Sequence, residues 1–260
     1  MDEIKTWQQA IDYTFHTRHS WRHGNGSKTS RINCNHFTRL RGSSFPITEL
    51  SQVIVSGVCI ELEDEGKSDA TINRVVSAIS TVLNHCAFDG LIDNVPKFRR
   101  RKESEGRVLW YTKDEVSKLS HLSTDVFMRD DLSDIILFGA YTGMRQGEIL
   151  KIRKKDIDIE GNRIHVGGVP TQTTKARNWR AIPIHEKLQP IVLSRCSQST
   201  RCDVRLFGDE WRDKDQLLRA FKKVNKLLPK DESYVFHTLR HSYATWLAEA
   251  GVPVRSIMAL

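Results

Sequence analysis

The sequence contains no apolar run that could cross a bilayer. Its longest, around Val53–Ile60 and Ile135–Tyr141, fall well short of the roughly 20 residues a membrane helix needs. No two cysteines stand at C-x-x-C spacing, and the five present (Cys34, Cys59, Cys86, Cys196, Cys202) are odd in number. That pattern argues against a disulfide framework or a zinc site and for free thiols in a reducing compartment. There is no internal repeat and no low-complexity tract. The opening Met1-Asp2-Glu3 lacks the basic start and apolar core of a secretory signal. The expectation from these absences is a cytoplasmic protein with no membrane partner.

What is present is the composition of a soluble globular chain, 39% hydrophobic and 28% charged over 260 residues. That length allows one large or two ordinary domains. Lys and Arg number 40 against 32 Asp and Glu, giving a net charge of +8 and a pI near 9.3. The excess suggests a polyanionic partner, of which nucleic acid is the usual one. A merely basic surface is the alternative.

The first hundred residues read as helices. Ile4–Arg18 and Ser27–Leu40 mix apolar and basic positions. A third helix, from about Thr48 to Glu65, turns Leu50, Val53, Ile54 and Val58 inward. In the fourth, Ser68 serves as N-cap, Ile72, Val75, Val76, Ile79, Val82, Leu83 and Cys86 share one face, and Gly90 ends it. Four such helices predict a small bundle over residues 1–97. A polar, basic stretch over 98–107, with Arg99, Arg100, Arg101 and Lys102, reads as an interdomain linker and as a nucleic-acid contact.

A second unit, 108–260, opens with the capping box Thr112-Lys113-Asp114-Glu115. An apolar helix over Leu132–Tyr141 follows and breaks at Gly143. From Ile157 the period changes to two. Ile157 and Ile159, the turn Glu160-Gly161-Asn162, then Ile164 and Val166 predict a hairpin, with a third strand at Ile182 and Ile184 after the polar loop Thr171–Asn178. Helices resume near His185, at Trp211–Leu228 and at Thr238–Ala250. The unit is α+β: mainly helical, with a small antiparallel sheet.

Three places could carry chemistry. In Thr142-Gly143-Met144-Arg145-Gln146-Gly147-Glu148, Gly143 permits a sharp exit from one helix and Arg145 opens the next, where guanidinium and amides suit an anion. An ordinary surface arginine fits the same pattern. In His237-Thr238-Leu239-Arg240-His241, helical spacing puts His237 and Arg240 on one face, a forked cation beside a proton carrier. The alternatives are an exposed helix face or a His237–His241 zinc pair, although no H-E-x-x-H glutamate or nearby Cys supports zinc. Third comes Thr171–Arg177, whose Lys175 sits on a hairpin loop and could be simply solvated.

Their order does more than any one of them. The series helix, TGMRQGE, hairpin, T-x-T-K, strand, helices, HTLRH resembles the catalytic domain of the tyrosine recombinases (phage integrases) over essentially all of 108–260. The segment from His237 to Gly251 continues the family pattern past the catalytic pair. The resemblance implies that the preceding bundle is the family's core-binding, SAM-like domain. It implies Arg145 and Arg240 as catalytic arginines, Lys175 as the hairpin lysine and His237 as the motif histidine. His241 would support them, Glu148 would be structural, and Arg177 would be a further DNA contact.

The implied reaction is attack of a tyrosine hydroxyl on a DNA phosphodiester, giving a 3′-phosphotyrosine and a free 5′-hydroxyl. Two fixed guanidiniums answer the charge that builds on the phosphate, so no metal or other cofactor is expected. His237 would relay the tyrosine's proton and Lys175 would protonate the leaving oxygen. Double-stranded DNA is the expected partner, with a tetramer of chains on it and accessory bending or excision factors.

The sequence departs from the family at Val252–Leu260, where a helix opened by Pro253 stops before the family's Gly-His motif and its nucleophilic tyrosine. The expectation is a chain truncated before its nucleophile, with no separate arm-type DNA-binding domain ahead of the bundle. None of Tyr13, Tyr111, Tyr141, Tyr234 or Tyr243 fits the nucleophile's place. The leading expectation is a phage or prophage integrase, inactive in cleavage as it stands, with two domains closing as a clamp around duplex DNA. One alternative is a non-catalytic DNA-binding fragment that occupies sites or pairs with an intact recombinase. Another is a type IB topoisomerase-like enzyme, which the two-domain layout and the TGMRQGE box disfavour.

Overall fold

The structure, a computed structural model, describes residues 4–24, 26–103, 109–167, 179–208, 211 and 214–258. The chain divides into two compact units, Met1–Gly106 and Arg107–Leu260, each with its own hydrophobic core.

The first unit is helical: α1 (Trp7–Thr17), the single turn α2 (His19–Arg22), α3 (Ser27–Arg41), α4 (Gln52–Asp64) and α5 (Asp69–Phe88). Local chemistry sets the starts. Thr6 and Gln9 exchange side-chain and backbone bonds in a capping box, and the hydroxyls of Ser51 and Ser68 accept the amides of Ile54 and Thr71. In α5 the apolar positions Ile72, Val75, Val76, Ile79, Val82, Leu83 and Cys86 are all buried. The phase expected for α4 is corrected at Val53, which is 78% exposed. The helix begins only after Ser51, and its buried positions are Val55, Val58 and Leu62, at i, i+3 and i+7.

Residues 98–103, expected as linker, are bound to this unit. The Arg99 amide donates to Gln52 Oε1 at 2.9 Å, and the Arg101 backbone exchanges bonds of 2.9 Å with the Asn73 side chain. The Arg101 guanidinium is paired with Glu63 at 2.7 Å and Asp69 at 3.2 Å, whereas Arg99, Arg100 and Lys102 are exposed.

The second unit begins with α6 (Lys113–Asp125), opened by the Thr112–Glu115 capping box, and α7 (Asp130–Thr142). One turn, α8 (Gln146–Ile149), leads to an antiparallel sheet of β1 (Ile157–Asp158), β2 (Arg163–Val166) and β3 (Arg180–Pro183), in which Ile164 stands opposite both Ile157 and Ile182. Then come α9 (Gln189–Ser197), α10 (Lys214–Asn225), α11 (Thr238–Glu249) and α12 (Val254–Met258). Ile159 is corrected from strand to turn and is half exposed. The Asp158 carboxylate accepts the Gly161 amide at 2.8 Å, the Ile159 carbonyl accepts the Asn162 amide at 3.2 Å, and Asn162 takes φ +51°. The expected loop Thr171–Asn178 lies outside the described residues.

Helix α7 runs through the core, packed on α6 and α11, with Ile135, Ile136, Phe138 and Ala140 fully buried. A Cβ on Gly139 would stand 3.3 Å from both Leu239 and Phe236, so the missing side chain lets α11 come close to α7. Among the described residues no helix is long and apolar enough to cross a membrane.

Candidate active site

The site grows from the end of α7. Gly143 takes a left-handed conformation (φ +61°, ψ 15°) and its amide donates to the Gly139 carbonyl at 3.1 Å. The neighbouring Thr142 hydroxyl donates to the Phe138 carbonyl at 2.5 Å and accepts the Met144 amide at 3.2 Å, which fixes the exit. A side chain at 143 is barred twice, by the backbone sign and by Tyr243, whose Cδ1 would lie 2.4 Å from an added Cβ. The chain leaves this turn with Met144 buried and Arg145 at the mouth of α8.

Arg145 is held by Glu148. The Arg145 amide donates to Glu148 Oε2 at 2.8 Å and its Nη1 to Oε1 at 3.1 Å. Since α8 is a single turn, it has little dipole to offer, and the capacity to hold an anion rests on guanidiniums. One of these is Arg240 on α11, which donates through Nη1 to the Gly143 carbonyl. The bond ties the second motif to the turn that aims the first. Burial, and then the neighbouring charges of Arg145 and Arg180, hold the pKa of Arg240 below the ordinary arginine value. A group that stays cationic against such repulsion gains when an anion arrives.

The sequence reading missed Arg180. This first residue of β3 donates to Glu148 through Nη2 at 2.6 Å and Nη1 at 3.4 Å. Its side chain is only 11% exposed and that of Glu148 only 7%. Burial drives the Glu148 pKa upward, but bonds from Arg180 and from the Arg145 amide prevail, so it lies below the usual glutamate value. A signal was available: Arg180 alternates in register with the inward Ile182, an odd place for a charge without a partner. Two guanidiniums thus bind one carboxylate and the charge of a third, Arg240, acts on the same group, an arrangement with excess positive charge that suits a phosphate group.

His237 is exposed and immediately precedes α11, three positions before Arg240, with its ring edge-on to His241 at 5.0 Å between centroids. Lys175 and Arg177 lie outside the described residues. Among the described residues no group of three His, Cys, Asp or Glu could hold a metal ion.

All five tyrosines are described. Tyr111 is fully buried with its hydroxyl on Asn225 at 2.7 Å, Tyr141 is buried in the core, and Tyr234 packs beside Tyr111. Tyr13 belongs to the first unit and bonds Asp89 at 2.9 Å. Tyr243 lies against Gly143, and burial raises the pKa of its hydroxyl.

Comparison with known proteins assigns the family. The pattern of the Phage integrase family matches residues 110–260. The tyrosine recombinase XerA of Thermococcus kodakarensis is 30% identical over 205 residues, covering 76% of this chain and 68% of the relative. The tyrosine recombinase XerD of Listeria monocytogenes serotype 4b is 26% identical over 238 residues, covering 85% and 76%. In fold, the chain is similar to the Tn1549 transposon integrase solved in complex with transposon right end DNA. That likeness has a TM-score of 0.75 at 17% identity and covers 97% of this chain and 90% of the other. A lambda integrase dimer bound to a COC′ core site gives a TM-score of 0.72 at 18% identity, covering 97% and 92%. The family pattern spans the whole arginine–glutamate cluster, and the chain belongs to the phage integrase family of tyrosine recombinases.

Proposed function

We propose that this chain is a site-specific DNA recombinase of the phage or prophage integrase type, cytoplasmic and acting on double-stranded DNA. The observation that carries this reading is the bond from Arg240 to the Gly143 carbonyl, two residues before Arg145. It supports two guanidiniums gripping one scissile phosphate and stabilising the charge that builds there as the phosphoryl group transfers. His237, at the head of the Arg240 helix, takes the role of proton relay, and Lys175 that of acid to the departing 5′-oxygen. The helical first unit serves as the core-binding domain, with the exposed Arg99, Arg100 and Lys102 as phosphate contacts. Arg101 acts differently, as an internal tie to Glu63 and Asp69. Arg177 is a further DNA contact, chains assemble as a tetramer on DNA, and accessory bending factors assist.

We read none of the five tyrosines as the nucleophile. Tyr111 and Tyr141 are buried, Tyr13 and Tyr234 are engaged elsewhere, and Tyr243 is packed against the turn with a pKa raised by burial. That placement favours a second reading, in which the 260-residue chain binds DNA and joins an assembly whose other members supply the attacking hydroxyl. A nicked suicide substrate, which traps covalent protein–DNA adducts on a denaturing gel, tests both. The expected result is salt-sensitive binding without an adduct for the chain alone. An adduct mapping to any of the five tyrosines overturns the nucleophile assignment, and absence of salt-sensitive duplex binding overturns the recombinase reading itself.

A further inference from the structure

Around Glu148, cations outnumber the anion. The carboxylate is almost wholly buried, and each of its oxygens is shared between the two arginines: Oε2 by the Arg145 amide and Arg180 Nη2, Oε1 by Arg145 Nη1 and Arg180 Nη1. A buried carboxylate facing one arginine draws that arginine into a two-pronged fork and neutralises it. With Arg180 occupying the other side, Glu148 takes a single side-chain donor from Arg145. The Nε and Nη2 of Arg145, whose side chain is 35% exposed, are left for an acceptor from outside.

We propose that Arg180 is a positioning residue for the phosphate site: it neutralises Glu148 from behind, so that Glu148 orients Arg145 through its backbone amide and one nitrogen without quenching its charge. Arg180 does not itself reach substrate, since both terminal nitrogens are on Glu148 and its Nε is buried. The inference rests on the reading of Arg145 as a phosphate ligand. It assigns to the start of β3 a role that belongs to no motif read from the sequence.

The experiment uses the full chain and a nicked duplex of random sequence, with affinity followed by fluorescence anisotropy as salt is raised. Each lost phosphate contact lowers the slope of log affinity against log salt by about 0.9. Arg145→Ala should lose one such step. Arg180→Met should lose the same step, and the two losses should not add in the double variant. In a Glu148→Gln background there is no carboxylate to neutralise, so adding Arg180→Met should change nothing further.

The pH profile provides a second readout. Glu148 is faced by Arg145 from its own turn, by Arg180 from β3 and by the charge of Arg240 from α11. In Arg180→Met the strongest influence lowering the Glu148 pKa is gone and burial raises it. Acidification should then protonate Glu148, release Arg145 and restore the lost slope, a recovery absent from wild type.

If Arg180→Met still lowers the slope in the Glu148→Gln background, Arg180 touches phosphate directly and the proposal is overturned. A lower melting temperature with an unchanged slope reduces Arg180 to a structural ion pair and overturns it as well. Should Arg180→Met not fold, the same comparison is made with Arg180→Lys, whose single prong should give a fractional loss that Glu148→Gln erases. An unchanged slope in Arg145→Ala defeats the underlying phosphate-ligand reading, an outcome distinct from the others.

Discussion

At the scale of single residues, the turn after α7 is the least tolerant position of the site. Gly143→Ala combines a left-handed backbone, costing about 1–2 kcal/mol for an alanine, with a Cβ driven into the Tyr243 ring. Urea unfolding should show a loss on the order of 3 kcal/mol. In a Tyr243→Ala background the collision is relieved and the penalty should fall to about 1–2 kcal/mol, that of the backbone alone. Equal penalties in the two backgrounds would rule out the ring contact as a cause. Gly143 was legible in the sequence because a glycine at the end of an apolar helix declares its own conformation. Arg180 was not, because its partner Glu148 lies 32 positions away and only the folded sheet brings them together. A charge on a strand reads as outward until its register against Ile182 is weighed.

At the scale of elements, features carried by consecutive residues are legible in the sequence, and features that depend on helix or strand phase are not. The Thr112–Glu115 box and the apolar stripe of α5 are written in consecutive turns, so the sequence displays them directly. The inward face of α4 depends on where the helix starts. The cap at Ser51 sets a phase in which Val53 points to solvent. Ile159 departs from the expected strand for a similar reason, since the Asp158 side chain folds the chain into its turn one residue early. For α6, Thr112→Ala removes the acceptor for the Glu115 amide, a 3.2 Å bond, and should cost about 1 kcal/mol. Glu115 keeps its 2.7 Å pair with Lys230, so the loss should stay near that figure in chemical denaturation. A change within about 0.5 kcal/mol, the norm for a neutral surface substitution, would show the cap to be idle.

At the scale of the molecule, the two cores share no residue among those described. Each should therefore melt as its own cooperative unit. Trp7 is fully buried in the first core, stacks obliquely on Phe37 at 4.8 Å and donates to Thr38 at 3.0 Å. Trp7→Ala should destabilise that unit by about 3–5 kcal/mol and leave the transition of the second in place. In calorimetry the expected trace has one peak moved and one unmoved; two peaks shifted together would show that the units unfold as one.

Cores without a shared residue are also separable units of inheritance. A gene rearrangement that joins at the segment between them leaves both hydrophobic sets whole. The partner of Arg240 strengthens this independence, since the Gly143 carbonyl is main chain and no codon change deletes it. Lineages can thus exchange or rework the helical unit wholesale while the arginine–glutamate cluster passes on with the elements that carry its described bonds, α7, α8, β3 and α11.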